Sequence, residues 1–149
     1  MPLKRHSALI NLSRDHYTGL LLASVLKKDT PDFKNMPTIP EDKASLAKLK
    51  YDTELKVHFE AEEKILFPFV NGKSAELDKI INELIEEHRL LESGINGLSS
   101  ATDLVTSLDS VGKLLESHIR KEERQLFERI QEIFSEEELK ELEERLRGH

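Results

Sequence analysis

One ten-residue phrase occurs twice in this chain, and it limits the fold more than anything else in the sequence. The first copy runs from His58 to Phe67 and the second from His118 to Phe127. Both read His-x-x-x-Glu-Glu-basic-x-Leu-Phe, and they start 60 residues apart, the distance expected of a duplicated helical hairpin. Within each copy the His and the first Glu are four residues apart. On a helix that spacing places them on nearly one face, offset by about 40°. A neutral imidazole and a carboxylate one turn apart form a two-point metal ligand. Two such pairs suggest two metals sharing one site.

Around the phrase the chain reads as helices with apolar residues at three- and four-residue spacing. The first, from near Ser7 to Lys27, carries Leu9, Leu12, His16, Leu20 and Ala23, with Ser7 as its expected N-cap. Residues 29–40 hold three of the five prolines and are expected to cross between helices as a loop. A second helix starts near Glu41, with the stripe Tyr51, Leu55, His58, Glu62, Ile65 and Phe69. Pro68 marks its end or a kink, and Asn71-Gly72 its stop. The third opens near Ser74 and carries Leu77, Ile81, Leu84, His88, Leu91, Ile95 and Leu98. The fourth carries Leu104, Leu108, Val111, Leu115, His118, Glu122 and Leu126, with Gly112 as a weak point. Ser135 to Glu138 looks like a capping box, opening a short helix over 135–147 with Leu139, Leu142 and Leu146 on one side. That helix is expected to pack onto the other four or onto a second subunit. Gly148 and His149 are expected to fray, with His149 outside any site.

The repeat extends beyond the phrase. Leu12, Asp15 and His16 match Leu84, Glu87 and His88 in spacing. His16 precedes His58 by 42 residues and His88 precedes His118 by 30; the difference of 12 is the length of the Pro-rich loop. The expected fold is therefore all-α: an up-down-up-down four-helix bundle of two repeated hairpins plus a short C-terminal helix, one domain over residues 1–149. Each helix then presents one His to the core, and the second and fourth add one Glu each. His16, His58, Glu62, His88, His118 and Glu122 fall in one layer.

Buried and unpaired, each of these groups would cost roughly 1–3 kcal/mol, and metal ions satisfy such donors directly. A His–Glu hydrogen-bond network is the structural alternative. Glu63 and Glu123 lie one position further on, about 100° round the helix. By default they read as a solvated face; otherwise they support the site from behind or act as alternative ligands. Asp15 and Glu87 read as surface charges. His6, about 15 Å from His16 along a helix, falls outside the layer unless the N-terminus folds back. Phe59, Phe67, Phe69, Phe127 and Phe134 read as core residues that keep the site dry.

With 149 residues, 38% apolar and 34% charged, the chain is long enough for one globular core. A net charge of -7 argues against nucleic-acid binding. The absence of cysteine excludes disulfides, zinc ribbons and iron–sulfur clusters, and suits a reducing cytosol, so a cytoplasmic location is expected. The N-terminus has no apolar secretory core, and no run is long enough to span a membrane.

Four His and two Glu in this arrangement resemble the hemerythrin-like (HHE cation-binding) family. The resemblance runs from His16 to Phe134 and is carried by Leu12…Asp15-His16, His58-x-x-x-Glu62, Glu87-His88 and His118-x-x-x-Glu122. It implies a bundle holding a non-haem di-iron centre, oxo- or hydroxo-bridged, with zinc or manganese as substitutes. His16 and His58 would bind one iron, His88 and His118 the other, and Glu62 and Glu122 would bridge them. Two departures from the oxygen-carrying members stand out. Their further His on the third helix is Leu84 here, so a water, Tyr17, Glu92 or His6 is expected in its place. Their fourth-helix acid would correspond to Glu123, whereas the repeat selects Glu122.

The resemblance implies a protein that binds or senses dioxygen, nitric oxide, iron or redox state. The alternative is an enzyme that oxidises Fe(II) or peroxide, or an iron donor for the repair of iron–sulfur centres. A homodimer is an open expectation; nucleic-acid and membrane partners are not expected.

Overall fold

The computed structural model describes residues 3–148, and among them the only regular structure is helical. His149 lies outside the described residues. Helix α1 spans Ser7–Leu26. Its cap is His6 rather than Ser7: the extended His6 accepts the Ala8 N–H on Nδ1 at 2.9 Å, while the Ser7 hydroxyl bonds Glu143. Helix α2 covers residues 40–70. It begins at Pro40, one residue before the expected start, because proline's fixed φ suits the first helical position and its missing N–H costs nothing there. Helix α3 spans Ala75–Asn96, capped by Ser74, and runs into a single 3-10 turn at Gly97–Ser100. Helix α4 covers 104–133, capped by Asp103. Helix α5 spans Glu136–Arg147 and opens with the expected capping box of Ser135 and Glu138. The α2–α3 turn uses Gly72 at φ 91°, a conformation glycine adopts without steric cost.

Side-chain pairs fix the direction of each helix. Tyr51 meets Glu92 and Glu63 meets His88, so α2 and α3 run antiparallel. Arg5 meets Glu128 while Lys27 meets Glu116, so α1 and α4 do too. The result is the up-down-up-down bundle. Helix α5 lies across one end, burying Leu139 and Leu142 against the other helices rather than leaving them for a second subunit.

Three turns in the long helices are π-helical: Tyr51–Leu55, Glu62–Leu66 and Glu122–Phe127. Each adds a residue to the turn and shifts everything beyond it. The expected α2 stripe therefore fails after Glu62. Leu66, Phe67 and Val70 are the buried residues, whereas Ile65 and Phe69 are only partly covered. The same wide turn lets α2 continue through Pro68 to Val70, since it spreads the carbonyls that the proline ring would otherwise meet.

Gly112 is not a weak point. A Cβ there would stand 2.7 Å from the Ala23 carbonyl oxygen and 3.0 Å from Lys27 Cγ, so the glycine is what lets α4 lie close against α1. Gly112→Ala gains about 1 kcal/mol in helix propensity but forces a backbone clash. Overpacking of this kind costs about 1–3 kcal/mol. A net loss is expected, seen as a melting temperature lower by several degrees; an unchanged or raised value would show that the helices can part without cost.

The core falls into two apolar clusters. One gathers Leu9, Leu12, Leu66, Phe67, Leu84, Phe127 and α5; the other gathers Leu22, Leu26, Tyr51, Leu91, Leu108 and Leu115. Between them lies a layer that is neither apolar nor wet.

Candidate metal centre

That layer is built by the matched positions of the four helices. His16 comes from α1, His58 and Glu62 from α2, His88 from α3, His118 and Glu122 from α4, and all six are buried. Glu62 and Glu122 each open a π-helical turn. Their carboxylates lie between the imidazoles. His16 Nε2 and Glu122 Oε1 are 2.8 Å apart, His118 Nε2 and Glu122 Oε2 3.2 Å. His58 Nε2 stands 3.2 Å from Glu62 Oε2 and 3.7 Å from Glu122 Oε1, and His88 Nε2 stands 3.1 Å from Glu62 Oε1. The six residues form two overlapping groups whose donor atoms lie within 4.8 Å of one another: His16, His58, Glu62, Glu122, and Glu62, His88, His118, Glu122. Both glutamates belong to both groups.

Behind each imidazole stands a second carboxylate. His16 Nδ1 donates to Glu123 at 2.6 Å, His58 Nδ1 to Asp15 at 2.9 Å, His88 Nδ1 to Glu63 at 2.6 Å and His118 Nδ1 to Glu87 at 2.7 Å. A carboxylate accepts only, so each bond places a proton on Nδ1 and directs Nε2 to the centre with its lone pair free when the ring is neutral. Glu87 is thus not a surface charge, and Glu63 and Glu123 are not a solvated face; Asp15 is exposed, as expected, but also holds His58. On one helix in isolation these positions point away from the seam, but in a bundle they face the neighbouring helix. The sequence carried the signal: each of the four acids recurs at the same place in both hairpins.

Three of these outer acids have a cation. Glu87 pairs with Lys121 at 2.6 Å, Glu63 with Arg89, and Glu123 with Arg5 at 3.4 Å. Among the described residues, Asp15 pairs with His58 alone, and no Lys or Arg reaches Glu62 or Glu122. The two inner carboxylates are fully buried, and among the described residues their only positive partners are the imidazoles.

The titration of the histidines follows from this. Burial disfavours the His16 cation, but Glu122 and Glu123 outweigh it and raise its pKa from 6.5 to about 9. Burial acts the same way on His118, and Glu122 with Glu87 lifts it to about 10. His58, also desolvated, is held well above 6.5 by Glu62, Asp15 and Glu122. Burial pushes Glu122 up, and His118, His16 and His58 together drive it well below the ordinary carboxylate range.

Hydrogen bonds alone leave the layer incomplete. His58 Nε2, His88 Nε2, His118 Nε2, both Glu62 oxygens and Glu122 Oε2 are buried with no hydrogen-bond partner, although each nitrogen stands 3.1 or 3.2 Å from one of these oxygens. They converge without the alignment a hydrogen bond needs. Imidazole nitrogens and carboxylate oxygens gathered in this way are a donor set for divalent cations such as iron, zinc or manganese, so the residues fit a metal.

Residues 7–130 match the sequence model of the hemerythrin HHE cation binding domain. The chain belongs to that family. No curated protein and no solved structure matches it. An HHE chain is a cation-binding one, and the buried His/Glu cluster is where this chain can hold the cation. Leu84, the third-helix residue at which a further ligand is not supplied, is wholly buried in the apolar cluster. None of the three side chains expected to stand in for it does so. Tyr17 is 81% exposed, Glu92 accepts the Tyr51 hydroxyl at 2.8 Å, and His6 caps α1 and meets Glu136. The reason is register: Tyr17 follows His16 by one residue and turns to solvent, and Glu92 lies a full turn beyond His88.

The metal-free HHE domain has a defined pH response. His16 and His118 have folded pKa values above their unfolded one, so their contribution to stability is complete below pH 6.5 and is lost as pH rises through about 9 and 10. Glu122 acts oppositely, contributing above the ordinary carboxylate range and losing that contribution in acid. Thermal melts of chelated protein are expected to fall steadily from pH 6.5 to 10. A flat profile there would mean that the imidazoles are already neutral at pH 7.

Proposed function

We propose that this chain holds two iron ions in the bundle core and uses them to bind or sense a small ligand, dioxygen or nitric oxide. His16 and His58 would hold one ion, His88 and His118 the other, and Glu62 and Glu122 would bridge them. The observation that carries this reading is the sharing of both glutamates by two separate histidine pairs, with six of the eight inward atoms lacking a hydrogen bond and only His16 Nε2 and Glu122 Oε1 bonded to each other. Two carboxylates with no Lys or Arg suit two divalent charges. The outer acids hold each Nδ1 proton, so that every ring offers Nε2. Phe59 stacks on His88 at 3.9 Å and Phe127 on His16 at 5.6 Å, which fixes ring orientation. Iron bound there would supply redox chemistry and a Lewis acid toward a small ligand.

The test is metal content and an absorption spectrum on protein purified in air. About two irons per chain are expected, with ferric bands that are lost on anaerobic chemical reduction and a spectrum of the reduced protein that changes reversibly on exposure to oxygen or nitric oxide. A folded protein that takes up no iron under anaerobic loading would remove the gas-binding reading with it.

A further inference from the structure

The two hairpins match in sequence but not at their outer walls. Gly19 follows His16 by three residues; the residue that follows His88 by three is Leu91, fully buried. Ala61 follows His58 by three; the residue that follows His118 by three is Lys121, bonded across to Glu87. The second hairpin is thus plugged by a leucine and strapped by a lysine. The first has a glycine and an alanine at those places.

A pocket of about 260 Å³ opens there, between α1 and α2 and reaching α4. Its floor is His16, His58 and His118. Its walls are Leu12, Leu55, Val57, Phe59, Leu115 and Ile119, and Asp15, Thr18, Thr53 and Glu54 stand at the polar rim. A dry apolar cavity of about 150 Å³ is enough to hold benzene, so this space is far larger than a diatomic gas requires. The walls favour an apolar body. Asp15 at the rim is exposed and has no Lys or Arg partner among the described residues, which disfavours an anion, whereas Glu54 is held by Lys50 at 2.7 Å. The imidazole floor favours a head group that can donate or accept a hydrogen bond or reach a metal.

We propose that this pocket binds a small neutral organic molecule, a benzene-sized apolar body bearing a hydroxyl-type head (an alcohol, phenol or hydroperoxide), and that Gly19 sets the room for it. The proposal rests on the two-metal reading only in that the head lies against the His16–His58 pair. Gly19 acts through Ile119. A Cβ on Gly19 would stand 2.7 Å from Ile119 Cδ1, the end of a flexible side chain that lines the same pocket, so even one methyl group drives Ile119 to move.

Calorimetric titration of the metal-loaded chain with phenol, and with benzoate as its charged counterpart, tests this. Phenol is expected to saturate one site, with benzoate weaker by about tenfold or more. Gly19→Ala and the rim variant Thr18→Phe are each expected to weaken phenol by about tenfold, with metal content unchanged. Absence of saturable phenol binding, equal binding of benzoate, or undiminished binding in both variants would each overturn the proposal. Metal analysis of the same samples separates the two ideas. Two metals without phenol binding removes the pocket and leaves the centre; phenol binding without two metals does the reverse.

Discussion

Stripping the metal from the loaded protein is expected to lower its melting temperature by about 20 °C while leaving it helical. Binding at a thousandfold excess over Kd contributes about 4 kcal/mol per ion, and each kcal/mol moves a domain of this size by about 2–4 °C. On the two-metal reading the ions would therefore dominate the thermal stability. The fold itself survives because the apolar clusters on either side of the layer do not depend on metal. What remains after chelation is a core with six polar atoms that lack an aligned hydrogen bond and are held only by imidazole–carboxylate attraction, an incomplete pairing that metal would relieve. The measurement is paired thermal melts by circular dichroism, with and without chelator, re-adding iron to the stripped sample. A shift below about 5 °C would mean that no tightly held ion was present, and the two-metal reading would go.

Replacing either inner glutamate is expected to cost the protein at least one metal, and Glu122 should matter more than Glu62. Glu122 stands beside three imidazoles, His16, His58 and His118, whereas Glu62 stands beside two, His58 and His88. Removing an outer carboxylate from such a site weakens metal binding by about 10–100-fold, so removing an inner one should exceed about 100-fold. Glu122→Ala also leaves a gap and takes away the charge that holds His16 and His118 protonated, so their pKa values fall back towards 6.5 in the metal-free form. Glu122→Gln separates the effects, since it keeps the volume and loses only the charge. Metal analysis and histidine NMR titrations read both. Two metals retained in Glu62→Ala and Glu122→Ala alike would exclude them as bridges.

Much of this was legible in the residues. Periodicity gave the four long helices and the fifth, because each carries its apolar stripe over several turns, and the paired phrase put six side chains in one layer. The stripe of α2 was misread beyond Glu62 because a π-helical turn leaves no mark in composition; it appears only as a change of phase in which residues are buried. The roles of Asp15, Glu63, Glu87 and Glu123 were misread for another reason. One-helix geometry says which way a side chain leaves its own axis, not which neighbour waits there. Gly112 was judged on propensity, although its task is set by a carbonyl on a different helix.

The open first hairpin and the sealed second one carry a consequence for how such a site can specialise. Asp15 serves His58 and Glu87 serves His118 inside their own hairpins, whereas Glu63 and Glu123 reach from one hairpin to the other. Neither half can assemble the centre alone, but two identical halves could. Such a symmetric pair would have to present two doors or none. Joining the halves in one chain removes that constraint: one side can remain a wall while the other becomes an entrance, without touching a residue of the layer between them.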